Sequence, residues 1–391
     1  MTAPQFRVKR SLLGRLLARL GALVGPLVRK ILNKNPHAVV MWTFLGPFVS
    51  SSVYALIKLG VIEDLHEHGP KTAGQLAEAA LADENALYRI LRALASIGYL
   101  KHHKDGTFEL TPITRLLLKE HSESFQPIAL LYGDVFIPEM TSFVETIKTG
   151  NSVFELNHNG KTFWQLLEEQ PVTAEHFDRQ MAMWTELHAG AVVKSYDFSS
   201  AGSVVDIGGG RGTLVREILN ANPQTKGTIF DRPEVVIGTE QRMQEAGLTE
   251  RCECVGGSFF EAVPQAADLY TIKHVLHDWD DEHALQILRI VRKAMRPDSR
   301  LLIIEGLVEH NYAFGDFFRS WWDIQQLANT LGRSRTVSQM QGLLEQSGFR
   351  LDSIKPTSLI DVLILEVNPV PINFDDSVSD AAQTRTPAET A

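Results

Sequence analysis

Cysteine is scarce: Cys252 and Cys254 are the two among 391 residues, and one residue separates them. A disulfide framework is excluded, and a metal site would have to take its ligands from other residue types. So few thiols fit a reducing, cytoplasmic setting. Excess positive charge is missing too. The formal net charge is −9, which removes nucleic acid from the expected partners. Long apolar runs are nearly absent. The uncharged stretch at residues 38–57 is long enough to cross a bilayer, but Gly46-Pro47 interrupts it and three serines follow. Two packed helices are expected there rather than a span. No secretory signal is read, because Arg15 and Arg19 break the first apolar run.

What is present reads as two domains with extensions. The length exceeds one ordinary domain, and 44% apolar with 22% charged residues is a globular composition. Residues 1–37 form a basic N-terminal extension. Within it, residues 6–35 set arginines and lysines into a Leu/Val-rich amphipathic pattern. An arm packing on a partner subunit is favoured there over contact with an anionic membrane surface. Residues 38–195 read as a helical and winged-helix domain. Asp83 is the expected N-cap between two helices, and Leu87, Ile90, Leu91 and Leu94 mark the buried stripe of the second. A hairpin turning at Asp105-Gly106 follows. On an acidic chain this module is expected to dimerise and to cap a substrate rather than to bind DNA.

From residue 196 to 368 strands alternate with helices. "SVVDIGGG", "KGTIFD", "ADLYTIKHVLHD" and "RLLIIEGLV" are the expected strands. The fold class is therefore α/β: a Rossmann-like doubly wound sheet in the C-terminal domain, behind an all-α/winged-helix N-terminal domain. Residues 369–391 are polar and acidic and read as a disordered tail.

"DIGGGRG", Asp206 to Gly212, ends one strand and opens a helix. Glycine lets the backbone turn sharply there and approach a ligand. Asp231 ends the next strand, where an acid can take both hydroxyls of a ribose. A dinucleotide would satisfy the same pattern. The acid-led spacing Asp206-x-Gly208-x-Gly210-x-Gly212, placed in the second half of the chain, points away from NAD.

Six stretches in order resemble one family: "LIKLGVIEDL…LYRILRALASIGYL", "YDFSSAGSVVDIGGGRGTL", "IFDRPEVV", "GGSFFEAVP", "KHVLHDWDDEHALQILRIVRKAM" and "GRSRT". Over residues 38–367 the chain resembles the class I S-adenosylmethionine-dependent O-methyltransferases of the caffeic-acid and hydroxyindole type. The resemblance implies a homodimer, S-adenosyl-L-methionine as cofactor, and a small hydroxylated acceptor of aromatic or polyketide character. By it, Asp206, Gly208 and Gly210 belong to the cofactor loop, with the two glycines against the methionine part. Asp231 takes the ribose hydroxyls. Ser258 stands where an aspartate usually reaches the adenine, and one hydrogen bond is expected to survive, with Phe259 packing nearby. Lys273 and Trp279 match the lysine and the aromatic that contact the cofactor.

The same resemblance assigns His277 as general base. A phenol is a weak nucleophile while protonated, and a neutral imidazole can remove its proton. Glu305 matches a carboxylate that brackets the histidine. Ser334, in Gly332-Arg333-Ser334-Arg335-Thr336, replaces the second glutamate of the family pattern, so His277 is expected to be a weaker base or to lean on Glu305. That departure leaves an alternative: a cofactor pocket kept for non-methylating chemistry such as hydroxylation, cyclisation or rearrangement. Met181, Met183, Trp184 and Asp323 are expected to line the acceptor pocket, whose apolar and aromatic walls suit a flat molecule. Asp278 and Asp280 are expected to favour the N-terminus of the helix that follows them. The spacing of His274, His277, Asp278 and Asp280 brings a metal to mind, but none is expected.

Overall fold

The computed structural model describes residues 34–121, 124–308, 314–359 and 362–371. The basic extension up to residue 33 and the acidic tail beyond residue 371 lie outside them. Helix α1 (Pro36–Lys58) is one continuous helix with Pro47 inside it, not the pair expected from Gly46-Pro47. Asn35 caps it by accepting the Ala38 N–H. Only Val53, Leu56 and Ile57 near its end are buried. Trp42, Phe44 and Phe48 on its first half are exposed, Phe48 by 71%. Among the described residues it is the helix long and apolar enough to cross a membrane, judged by length and composition.

The expected helix–helix–hairpin follows. It comprises α2 (Val61–His68), β1 (Lys71–Thr72), α3 (Ala73–Ala80), α4 (Glu84–Ser96), β2 (Leu100–His102) and β3 (Thr107–Leu110), with the strands ordered β1-β3-β2 and antiparallel. Asp83 caps α4 by accepting the Ala86 N–H at 2.8 Å, and Gly106 takes φ +84° in the turn. Leu87, Leu91 and Leu94 are buried, while Ile90 is only half-buried. Further helices then lead towards the sheet: α5 (Gln126–Leu131), α6 (Phe143–Thr149), α7 (Val153–Asn157), α8 (Phe163–Glu169) and α9 (Pro171–Ser195). Thr162 and Gln165 close a reciprocal cap at the start of α8.

The C-terminal half is a seven-stranded sheet ordered β6-β5-β4-β7-β8-β10-β9. Its parallel part is β4 (Ser203–Ile207), β5 (Lys226–Asp231), β6 (Cys252–Gly256), β7 (Leu269–Lys273) and β8 (Arg300–Glu305), joined through α10 (Thr213–Ala221), α11 (Pro233–Glu245) and α12 (Asp281–Ala294). After α13 (Phe314–Asn329) and α14 (Val337–Gln346), β9 (Phe349–Pro356) and β10 (Leu363–Pro369) add an antiparallel edge. Strands covered on both faces are apolar throughout, as in β8, where Leu301 to Ile304 are all 0% exposed. The strand order reverses between β4 and β7, which places a ligand crevice outside their carboxyl ends.

Candidate active site

A cavity of about 330 Å³ opens at that switch point. Gly208, at φ +70°, forms part of its floor. A Cβ there would stand 2.6 Å from the Val275 side chain, so only glycine fits between β4 and the segment after β7. Gly210, at φ +54°, has open space where its Cβ would be. The Asp231 carboxylate accepts the N–H of Gly210 and of Arg232, each at 2.7 Å. Burial raises its pKa and those two N–H groups pull it back. An ionised carboxylate has about four acceptor positions, so Asp231 keeps capacity for two hydroxyls.

Asp206 departs from the expectation: it does not line the cavity. It is 3% exposed under the glycine loop and accepts the Thr271 hydroxyl of β7 at 2.5 Å. Burial lifts its pKa to about 6. The side chain alternation of β4 turns it inward, and it ties two strands together beneath the loop. Lys273 does line the cavity. Its Nζ donates to Thr185 of α9 at 3.0 Å, and burial lowers its pKa to about 8.

Ser258, Phe259, Phe260, Trp279 and Trp164 form the opposite wall. The Ser258 hydroxyl oxygen accepts the Phe260 N–H at 3.2 Å, which leaves its own proton to donate. Phe260 meets Trp279 edge-on at 4.7 Å between centroids.

The strand expected within "ADLYTIKHVLHD" stops at Lys273, because His274 takes φ +51°. That left-handed residue turns the chain into a short 3₁₀ turn, Leu276–Asp278. His277 sits in it, 6% exposed, behind the cavity rather than on its wall. Burial, then the charges of Lys273 and Arg335, push its pKa down to about 3. Glu305 does not touch the imidazole. Its Oε1 accepts the His277 backbone N–H at 3.1 Å, and burial raises its pKa to about 7.

The carboxylate nearest the ring is Asp278, with Oδ1 3.5 Å from His277 Nε2. Asp278 lines the cavity and is hydrogen-bonded to Gln326 of α13. Burial raises its pKa well above the ordinary value while that of His277 falls; both shifts favour an uncharged pair. Asp280 caps α12 as expected, accepting the His283 N–H at 2.9 Å. Asp278 does not, because the 3₁₀ turn ends before the helix begins and directs its carboxyl to the cavity.

Along α9, Asp178, Met181, Ala182 and Thr185 face the cavity. This is the i, i+3, i+4, i+7 stripe of one helix face, and it leaves Met183 off the wall and buried. Trp184 points towards α13, edge-on to Trp322 at 5.8 Å. Trp322 in turn lies 6.5 Å from the His277 ring. Asp323 accepts the backbone N–H of Ser334 at 2.6 Å.

Two residues of "GRSRT" were not anticipated. Arg335 is 1% exposed and donates to Leu276 O at 2.7 Å, Trp279 O at 2.8 Å and Asp281 Oδ1 at 2.9 Å, clamping the His277 turn. Gly332 packs on the same turn: a Cβ there would stand 2.0 Å from His277 O. Nothing in the sequence signals this, because burial is not visible in a polar pentapeptide. Among the described residues, no three His, Cys, Asp or Glu side chains gather to hold a metal ion.

Residues 141–350 match the model of the O-methyltransferase domain, and residues 41–120 match that of the O-methyltransferase dimerisation domain. The chain belongs to the O-methyltransferase family. It is 38% identical over 329 residues to the mitomycin biosynthesis 6-O-methyltransferase of Streptomyces lavendulae, covering 82% of this chain and 91% of that protein. The solved structure of the mitomycin 7-O-methyltransferase superposes with a TM-score of 0.81 at 35% identity, over 87% of this chain and all of the other. An O-methyltransferase of neocarzinostatin biosynthesis, solved with S-adenosylmethionine and 2-hydroxy-5-methyl naphthoic acid, superposes with a TM-score of 0.73 at 28% identity, over 82% and 96% of the two chains. The protein is accordingly an S-adenosylmethionine-dependent O-methyltransferase, and these relatives lend nothing to the non-methylating alternative.

The cavity fits such a donor. It has an acid with free acceptor positions for a ribose, a glycine floor with open space at Gly210, and aromatic faces for a purine. Asp231→Ala is expected to weaken S-adenosylhomocysteine binding about tenfold or more, through loss of two charge-assisted hydrogen bonds. Titration calorimetry reads this directly, and an unaltered affinity removes Asp231 from the ribose.

Proposed function

We propose that this enzyme methylates a hydroxyl of a flat aromatic or polyketide-like molecule in secondary metabolism, with His277 as the base. When bound, S-adenosylmethionine supplies a methyl group on cationic sulfur. Gly208, Gly210 and Lys273 hold its methionine end, Asp231 its ribose, and Ser258, Phe259 and Trp279 its adenine. The observation that carries the reading is the buried imidazole of His277 directly behind the cavity wall, 3.5 Å from Asp278, which lines the cavity. A neutral imidazole can accept the hydroxyl proton as the new bond forms, although burial, by pushing its pKa down to about 3, makes the resting ring a weak base. Asp278 is the carboxyl group nearest the ring, while Glu305 fixes the turn through the His277 backbone N–H. Trp322 lies 6.5 Å from the His277 ring and meets Trp184 edge-on, and Met181 lines the cavity; such apolar surface is consistent with a planar acceptor.

The partner in this reading is a second copy of the chain. The dimerisation model spans most of α1, whose bared Trp42, Phe44 and Phe48 form the kind of exposed apolar face that marks an interface. The setting is cytoplasmic, and the basic stretch at residues 6–35 is read as an arm on that partner rather than a membrane contact.

Methyl-labelled S-adenosylmethionine, the purified protein and a panel of phenols test the reaction. Label is expected in a small organic product and absent with His277→Ala. Donor binding without label transfer to any phenol or extract component overturns the methylating reading in favour of the repurposed one.

A further inference from the structure

Helix α8 precedes the sheet domain by more than 30 residues, yet Trp164 and Glu168 of this helix line the cavity beside Asp231, Ser258 and Trp279. The Trp164 indole lies 6.2 Å from that of Trp279 and 21° from parallel. Phe259 and Phe260 meet Trp279 at 83° and 85°, so they brace its edges and do not stack on it. Trp164 itself is braced by Phe177 at 82°. Its Nε1 is buried without a hydrogen-bond partner.

We propose that Trp164 is the second wall of the purine slot, so that the adenine of the methyl donor lies between two indoles. This rests on the methyl-donor reading above. A planar base between two rings needs about 3.5 Å on each face, or about 7 Å in all. The slot at 6.2 Å is narrower by less than about 1 Å, and a small outward shift of the Trp164 ring opens it. The body of α8 is anchored by the buried Phe163, Leu166 and Leu167, and only its exposed face at the mouth is held loosely. Glu168 reaches Arg232 at 3.7 Å, and Glu168 is 57% exposed; water screens such a pair to little net effect. Because Arg232 directly follows Asp231, α8 covers both the purine and the ribose ends of the nucleoside. The helix therefore sets donor affinity and product release from outside the sheet domain.

The test compares wild type, Trp164→Ala and Trp164→Phe by calorimetry with S-adenosylhomocysteine and by steady-state kinetics. Removing a stacking partner is expected to weaken binding about tenfold or more. Trp164→Ala should raise KM for S-adenosylmethionine by a similar factor while leaving the acceptor KM and the saturated rate within about threefold. Trp164→Phe keeps a ring face and should fall between the two. The ligand-induced quenching of tryptophan emission should also diminish in Trp164→Phe, a signature that a merely structural residue would not move. Equal affinity in wild type and Trp164→Ala overturns the assignment, as does a parallel loss of acceptor and donor affinity in both variants. If wild type itself fails to bind S-adenosylhomocysteine, the methyl-donor reading fails first, and that outcome is distinct from a failure confined to Trp164.

Discussion

His277→Ala is expected to lower methyl transfer about 100-fold or more, the usual worth of a positioned general base, with donor affinity unchanged. The basis for that separation is spatial. His277 stands behind the cavity wall, whereas the nucleoside end is built by Asp231 and Trp279 on the far side. Asp278→Asn should show a smaller loss, because it alters the carboxyl group beside the ring but leaves the base. Turnover by His277→Ala within a few-fold of wild type would remove the base role.

The burial of His277 gives a second, independent readout. An unfolded histidine titrates near 6.5, and the folded one near 3. Between those values the unfolded chain binds a proton that the folded chain does not. The contribution of His277 to stability is therefore fully present above about pH 6.5 and is lost as pH falls towards about 3. Glu305, raised from 4.5 to about 7, acts in the opposite sense, since its contribution is lost as pH rises through about 7. The difference in Tm between wild type and His277→Ala, followed from pH 8 to pH 4.5, isolates the histidine. A difference that stays constant across that range would show a ring in contact with bulk water.

Much of this arrangement was legible from residue patterns. "KGTIFD" is β5 to the residue, and Asp83, Asp105 and Gly106 perform the capping and turning their types suggest. Local rules suffice for such elements because the cause lies within a few residues. The misreadings share a different cause. The β7 boundary moved because one histidine adopts a left-handed conformation. Met183 was assigned to a wall that helix rotation turns away from it. Asp206 belongs to a motif that points at a ligand, yet its side chain alternates inward to Thr271. Glu305 matches a residue that brackets histidine, and here it does so through the backbone N–H. In each case the contact was decided by strand alternation, helix phase or a distant segment. Trp164 carries this furthest, because no spacing within "KTFWQLL" connects it to Trp279.

Gly332→Ala is expected to reduce turnover by about 100-fold or more while donor binding stays within a few-fold. At this position the added Cβ would stand 2.0 Å from His277 O, 2.6 Å from Asp278 C and 2.7 Å from Asp278 Cα. All three are backbone atoms, so no rotamer change relieves the overlap. The turn holding His277 has little freedom to retreat, since Arg335 grips Leu276, Trp279 and Asp281 from one side and Glu305 holds the His277 N–H from the other. The strain must therefore move the imidazole itself, and a misplacement of about 1 Å at a reacting group costs about 100-fold in rate. Arg335→Lys probes the same turn without overlap: lysine keeps the charge but lacks the forked donors that reach three acceptors at once. It should lower Tm and turnover together, whereas Gly332→Ala should cost rate out of proportion to stability. If Gly332→Ala keeps wild-type kcat, the turn is not held as tightly as its contacts require, and the positioning of His277 must come from elsewhere.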